Sequence, residues 1–342
     1  MPRTLSAYEG ARLTGMTAAQ EEHQRLGTTM HERVPVFDVI EDARIWLFFQ
    51  PMRTLYGAYE RHGDAAGIII NSQHPLSLQR FTAGHEYGHH VLGHEASADD
   101  EERIYRGDRQ SMQEVAAQAF AGEFLMPVQL VNYTLRTMGL AGQRPAMTPS
   151  QIYQLALELG VSYTAVVTQL VCQHKLSIDA GRRLRKLSPL DIKTGLAGVK
   201  PASSRADVWL LDEAQEGRQI ISRLRDEIHV RLPETPSTGY VWDLVDPAAG
   251  VVEVVADRFE TGDDAEERIG ADGVRHLWLR VVAPGSGRIR LELRRPWQSD
   301  SKPARTFQAT LDALAPLTGD VTEGVTSDQK KGVIDDFQAA AA

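Results

Sequence analysis

The chain has 342 residues, with 37 Lys+Arg against 46 Asp+Glu, a formal charge of −9. Hydrophobic residues make up 42% and charged residues 24%, ordinary values for globular protein, and the length suits two domains. The acidic balance argues against a dedicated nucleic-acid binder, the lone Cys172 excludes an intrachain disulfide or Cys-rich zinc finger, and no long apolar run offers a membrane span.

The first two dozen residues lack the apolar core of a secretory signal, so a cytoplasmic protein is expected. A polar helix is expected over 18–34, opening on Thr17. Residues 45–50 (IWLFFQ), 55–61 and 66–71 (AGIIIN) are rich in branched and aromatic side chains and read as strands. Pro75 is placed to open a helix that runs through His94, and residues 95–103 (EASADDEER) read as a solvated loop. A second long helix is expected over 109–125, ended by Pro127, with shorter ones over 128–138, 148–159, 162–174 and 177–186. Cys172 reads as a core thiol on one of these, and GRRLRK (181–186) as a solvated helix end.

Residues 187–206 show no sustained period and carry Pro, Gly and Ser, so they read as a linker between a domain over 1–186 and one over 207–317. Beyond them the period is two: Ile228, Val230 and Leu232; Leu277, Leu279 and Val281; Ile289, Leu291 and Leu293; Phe307, Ala309 and Leu311. That alternation predicts an antiparallel sandwich. Residues 318–342 have few apolar anchors and read as a mobile tail.

The strongest chemical signal lies in RFTAGHEYGHHVLGHE (80–95), which contains His85-Glu86-Tyr87-Gly88-His89. Four residues of helix turn about 400°, so both imidazoles share one face, about 6 Å apart along the axis, and can reach one Zn²⁺. Glu86, beside the first ligand, is placed to act on a water at the metal. A catalytic zinc usually takes a third protein ligand. Leu92 and Glu95 exclude the third-histidine spacing of one zincin variant, and His94 comes one place early. Glu114 on the second helix is the better choice, with Ala117 and Ala121 small enough for close packing; Glu95, Glu101 and Glu102 compete. Tyr87, Tyr105, Tyr133 and the spare histidines are candidate oxyanion donors.

The segments FTAGHEYGHHVLGH (81–94) and EVAAQAFAGEFLMP (114–127), with GIIINSQHPLSLQRFT (67–82) upstream, resemble the ImmA/IrrE family of zinc-dependent peptidases over residues 30–186. The resemblance implies an α+β zincin-like domain, His85, His89 and Glu114 as zinc ligands, and Glu86 as general base. It also implies cleavage of a helix-turn-helix repressor in a stress or DNA-damage response. Gln118 stands where the family often has Asn, and Tyr87 where it often has Leu.

In the second region, LPETPSTGYVWDL (232–244), IGADGVRHLWLRV (269–281) and LRRPWQ (293–298) resemble the chagasin-type cysteine peptidase inhibitors over about 207–315. The resemblance implies an immunoglobulin-like β-sandwich with three protein-binding loops: Thr238, Gly239 and Tyr240; Gly270 and Gly273; Arg295, Pro296 and Trp297. Glu234-Thr235-Pro236-Ser237 replaces the usual Asn-Pro-Thr start, and Asp272 a common Gly. Tyr240, Trp242 and Trp297 would offer rigid aromatic area, unless Trp242, Trp278 and Trp297 serve the sandwich core.

The expectation is therefore a zinc metalloendopeptidase joined to a chagasin-like domain that binds protein or regulates access. Its partners would be a protein substrate, a helix-turn-helix repressor, and a peptidase or other protein at the loops, with no membrane; nucleic acid is not expected, though the charge balance leaves room for a local basic patch. The rival is a non-catalytic regulatory protein whose second domain binds or inhibits a papain-type cysteine peptidase.

Overall fold

The computed structural model describes residues 6–94, 97–100, 111–142, 147–261, 272–298, 302–320, 322 and 330–334. They form two compact units. One draws on 1–147, 155–185 and 317–342; the other on 148–154 and 186–316.

The first unit opens with α1 (Ala7–Leu26), earlier than the sequence suggested. Ser6 and Glu9 form a reciprocal capping box, and Gly27, left-handed at φ 60°, ends the helix. Capping chemistry outside the expected window therefore set its bounds. A short helix, α2 (Val36–Asp42), leads into a mixed sheet built from β1 (Trp46–Gln50), β2 (Leu55–His62), β3 (Ala65–Asn71) and β4 (Ser97–Asp100). β4 occupies part of the expected loop. Strand β3 is buried along its whole length, parallel to β1 and antiparallel to β2, so a continuous apolar run suits it.

The helices follow as α3 (Leu76–Val91), α4 (Met112–Leu125), α5 (Val128–Thr137), α6 (Pro149–Leu159), α7 (Tyr163–Cys172) and α8 (Ile178–Leu184). None among the described residues is long and apolar enough to cross a membrane. Cys172 is half-buried rather than enclosed, and accepts a hydrogen bond from the Arg12 guanidinium at 3.0 Å.

The expected tail is corrected where it is described. After the second unit, the chain returns as β13 (Gly319–Asp320) and pairs antiparallel with β1, Asp320 opposite Phe48. The sheet order is β13-β1-β3-β2-β4. The Thr322 hydroxyl accepts from Leu47 N (2.7 Å) and donates to Leu47 O (3.4 Å). Val333, in the helical turn 330–334, is 1% exposed in a cluster with Trp46 and Ala65. Three short anchors spread over fifteen residues leave little periodic signal.

The expected linker is corrected too. Residues 189–197 form α9 (Pro189–Ala197), which belongs to the second unit. Its last carbonyls accept from His229 Nδ1 (to Leu196, 3.0 Å) and Trp278 Nε1 (to Ala197, 3.0 Å), which fastens it to the sheet. That sheet runs β5 (Val208–Leu211), β7 (Glu227–Glu234), β10 (Gly273–Val281), β9 (Val252–Thr261). The facing one runs β6 (Gln219–Arg223), β12 (Arg305–Leu314), β11 (Gly285–Arg294), β8 (Val241–Pro247). All pairs are antiparallel except β5–β7 and β6–β12, which are parallel. Ile228, Val230, Leu232, Leu277, Leu279, Ile289, Leu291, Phe307, Ala309 and Leu311, all on the period-two pattern, are buried. The architecture is thus an α+β domain and a β-sandwich, as the sequence implied.

Candidate metal centre

The site is built on α3 and α4. Asn71, at the end of β3, fixes the approach: its Nδ2 donates to the carbonyls of Met52 and Leu55, both at 2.9 Å. Gln79 then ties the first turns of α3 to the carbonyls of Ser72 (3.1 Å) and His74 (2.9 Å). Buried Arg80 donates to Val34 O (2.7 Å) and Gly160 O (3.1 Å), holding the helix from the other side. The motif helix is clamped before its histidines are reached.

His85 and His89 lie one turn apart on α3, 4% and 1% exposed. Glu114 lies in the first turn of α4, which Ser111 caps by accepting from its N–H at 3.2 Å. His85 Nε2 is 3.1 Å from His89 Nε2 and 3.2 Å from Glu114 Oε2, and His89 Nε2 is 3.6 Å from Glu114 Oε1. The three donor atoms lie within 4.8 Å of one another. Donors held at about 2.0–2.1 Å around a tetrahedral Zn²⁺ stand about 3.3 Å apart, so this set matches the spacing that zinc requires. Two neutral nitrogens and one carboxylate are also the ligand chemistry zinc accepts. The two imidazoles hold the Glu114 carboxyl well below the usual carboxylate range, so it is ionised for ligation.

Close packing brings α4 to α3, and both helices contribute small residues. Ala117 and Ala121 are fully buried, as expected. On α3, a Cβ at Gly84 would stand 3.7 Å from Ala121 and 3.3 Å from Leu125, and one at Gly88 would stand 2.9 Å from the Phe120 ring. Glu86 is fully buried on the same helix, next to His85. Glu95, Glu101, Glu102 and Tyr105 lie outside the described residues.

Two tyrosines considered as oxyanion donors have other places. Tyr87 is buried and its hydroxyl donates to Glu22, which also accepts from Arg25 Nε at 2.8 Å; burial, and then that carboxylate, push the phenol up. Tyr87 therefore anchors α3 to α1. Tyr133 packs its ring on His31, centroids 4.6 Å apart. His94, set aside as a third ligand, lies 3.0 Å from His89, Nδ1 to Nδ1.

In the second unit the first and third loops meet. Arg295 lies over the Tyr240 ring, 4.7 Å from its centroid, and its Nη2 donates to Thr238 O at 3.4 Å. Gly239 is left-handed at φ 77°, and a Cβ there would stand 2.6 Å from the Trp297 ring, so glycine is required twice over. Pro296 is exposed, and Trp297 is 69% exposed. Of the two readings for Trp242 the core one fits: it is 3% exposed and donates Nε1 to Pro233 O at 2.9 Å. Trp278 stacks on His229 and His276. Gly270 lies outside the described residues. Gly273 opens β10, not a loop, where a Cβ would strike Glu260 O at 2.3 Å. Thr235 Oγ1 donates to Asp272 at 2.7 Å, which ties the first loop to the start of β10.

Comparison with known proteins follows the same division. Residues 40–170 match the IrrE N-terminal-like domain family, and residues 223–311 the chagasin family of peptidase inhibitors. The radiation response metalloprotease IrrE of Deinococcus deserti is 34% identical over 128 residues, 37% of this chain and 42% of that protein, so the chain spans less than half of that relative. Amoebiasin-2 of Entamoeba histolytica is 25% identical over 105 residues, 31% of this chain and 85% of that protein. A crystal structure of a cysteine protease inhibitor from Entamoeba histolytica is 22% identical, covering 32% of this chain and 97% of that one, with a TM-score of 0.30.

Proposed function

We propose that this chain, which joins an IrrE-like peptidase domain to a chagasin-like domain, is a zinc-dependent protein endopeptidase. The observation that carries the reading is the convergence of His85, His89 and Glu114 from two helices at zinc-ligand spacing. Zinc bound there would polarise the scissile carbonyl and acidify the attacking water. Glu86 takes the proton from that water and returns it to the leaving amine. The Glu114 carboxylate compensates the positive charge, while Tyr87 and its partner Glu22 hold α3 in register. The substrate we propose is a helix-turn-helix repressor cut in a stress or DNA-damage response.

The test is the purified full chain, which should hold about one zinc and cut a repressor encoded beside it. The cut should be lost with chelator and in Glu86→Gln. Equal cleavage by Glu86→Gln would remove the base assignment. Failure of wild-type chain to take up zinc would remove the enzyme reading.

A second function of the same polypeptide is favoured by Trp297, an indole left 69% exposed on a loop braced by Arg295 and Tyr240. Rigid exposed aromatics with an arginine beside them suit protein recognition. We assign these loops to binding a protein partner, of which a papain-type cysteine peptidase is the first to test. Inhibition of such an enzyme by the Glu86→Gln chain, lost in Trp297→Ala, supports this; undiminished inhibition by Trp297→Ala overturns it.

A further inference from the structure

The last turn of α3 ends in a backbone device that does more than stop the helix. Gly93 is left-handed at φ 66°, its N–H donates to His90 O (3.1 Å), and the N–H of His94 donates to His89 O (3.0 Å). This paired arrangement is a Schellman motif, and it satisfies the last carbonyls of the helix through backbone alone. Any residue but proline at 94 could supply that N–H. The side chain present is nonetheless an imidazole, folded back so that its Nδ1 lies 3.0 Å from His89 Nδ1, with ring centroids 5.0 Å apart and planes at 66°.

Two ring nitrogens at that distance either share a proton or, like His85 Nε2 and His89 Nε2 at 3.1 Å, face a common cation, since two bare lone pairs would repel. Among the described residues the Nδ1 pair has no third metal ligand beside it, so it shares a proton. The other nitrogen of His89, Nε2, faces His85 Nε2 and the Glu114 carboxylate. A neutral imidazole carries one proton. If it sits on Nδ1, it points at His94 and the Nε2 lone pair faces the ligand set. If it sits on Nε2, it occupies the place of the metal. Which nitrogen of a ligating histidine is protonated is set by the hydrogen bond the other one makes.

We propose that His94 is a positioning residue of the metal centre: the left-handed turn at Gly93 folds it back so that its Nδ1 accepts the Nδ1 proton of His89, and so aims His89 Nε2 at the metal. His94 keeps its own proton on Nε2 and makes no bond to the ion. The inference rests on the reading of zinc at His85, His89 and Glu114. It assigns that site an orienting imidazole where zinc sites commonly use a carboxylate or a backbone carbonyl.

The test is Zn²⁺ affinity of the full chain, stripped of metal and titrated in competition with a chelating dye. His94→Ala and His94→Leu, which keep the backbone N–H but remove the acceptor, should each weaken Zn²⁺ binding by about 10- to 100-fold. His94→Asn, whose Oδ1 stands near the place of Nδ1, should recover most of the wild-type affinity, with metal-free melting curves unchanged throughout. A merely structural role predicts the reverse, altered melting without this ordering of affinities. Wild-type affinity in both His94→Ala and His94→Leu overturns the proposal, as does His94→Asn binding no better than they do. A wild-type chain that takes up no Zn²⁺ is a different failure, that of the enzyme reading itself.

Discussion

Gly88 of α3 and Phe120 of α4 stand so close that the single hydrogen of the glycine sets the distance between the two helices. Since α3 carries His85 and His89 and α4 carries Glu114, that distance also sets the size of the ligand cage. Gly88→Ala should cost about 1–3 kcal/mol by overpacking, offset by up to about 1 kcal/mol of helix propensity. It should weaken Zn²⁺ binding as Glu114 is pushed away. Urea unfolding and dye-competition titration check both, and a variant with wild-type Zn²⁺ affinity would show that the helices can slide past the added methyl.

Glu86 and Glu114 should separate cleanly in their effects. Glu114→Ala removes a ligand and is expected to leave substoichiometric zinc by elemental analysis. Glu86→Gln is expected to keep about one zinc per chain and to lose at least about 100-fold in turnover, the scale of a lost general base.

Trp242 and Trp297 flank the same loops but face opposite environments. Trp242→Ala should destabilise the second unit by about 3–5 kcal/mol, as large core truncations do. Trp297→Ala should leave the melting temperature unchanged and affect only partner binding. The sequence alone placed both as possible contact aromatics; a thermal melt of each variant distinguishes them.

His229 predicts an acid-side loss of stability. Burial holds its imidazole at about 4 against an ordinary 6.5. Its Nδ1 donates to Leu196 O and its Nε2 accepts from His276 Nδ1. Between those values the unfolded chain binds the proton and the folded one does not, so the contribution is complete above pH 6.5 and is lost as pH falls through 4. Asp226 works in the opposite sense: burial, and then Asp207, push its carboxyl up to about 7 from 3.8, so its share is complete below 3.8 and fades as pH rises through 7. The difference in stability between wild type and His229→Phe should therefore shrink as pH falls from 6.5 to 4. A pH-independent difference would contradict the assignment.

Thr322 and Val333 should prove necessary to the first unit. Val333→Asp puts a charge among Trp46, Ala65 and Gly67, and Thr322→Ala removes the clasp on Leu47. Either change should speed hydrogen exchange at the Leu47 amide, while amides of β10 stay as slow as in wild type.

The parts legible in the sequence were those with a period or a fixed spacing. HExxH placed two histidines on one helix face, the alternating strands placed the sandwich core, and Glu114 was the better choice among several glutamates once the helix of 109–125 was recognised. What escaped notice depends on contacts between distant residues. Gly84 and Gly88 carry no period or spacing signal of their own, and their part shows only where Phe120 and Leu125 stand against them. Helix α9 looked like a linker because its anchors, His229 and Trp278, lie more than thirty residues downstream. His94 looked like a failed ligand because its role depends on a backbone turn at Gly93 that spacing arguments do not represent.

The return of β13 to β1 has a consequence for biogenesis. Phe48 emerges early from the ribosome, yet its sheet partner Asp320 is translated about 15 to 55 s later at ordinary elongation rates. Until then, the outer edge of β1 lacks the strand that covers it. The first unit can reach its finished form only after the whole sandwich has been made, so a nascent or prematurely terminated chain would carry that unit incompletely assembled.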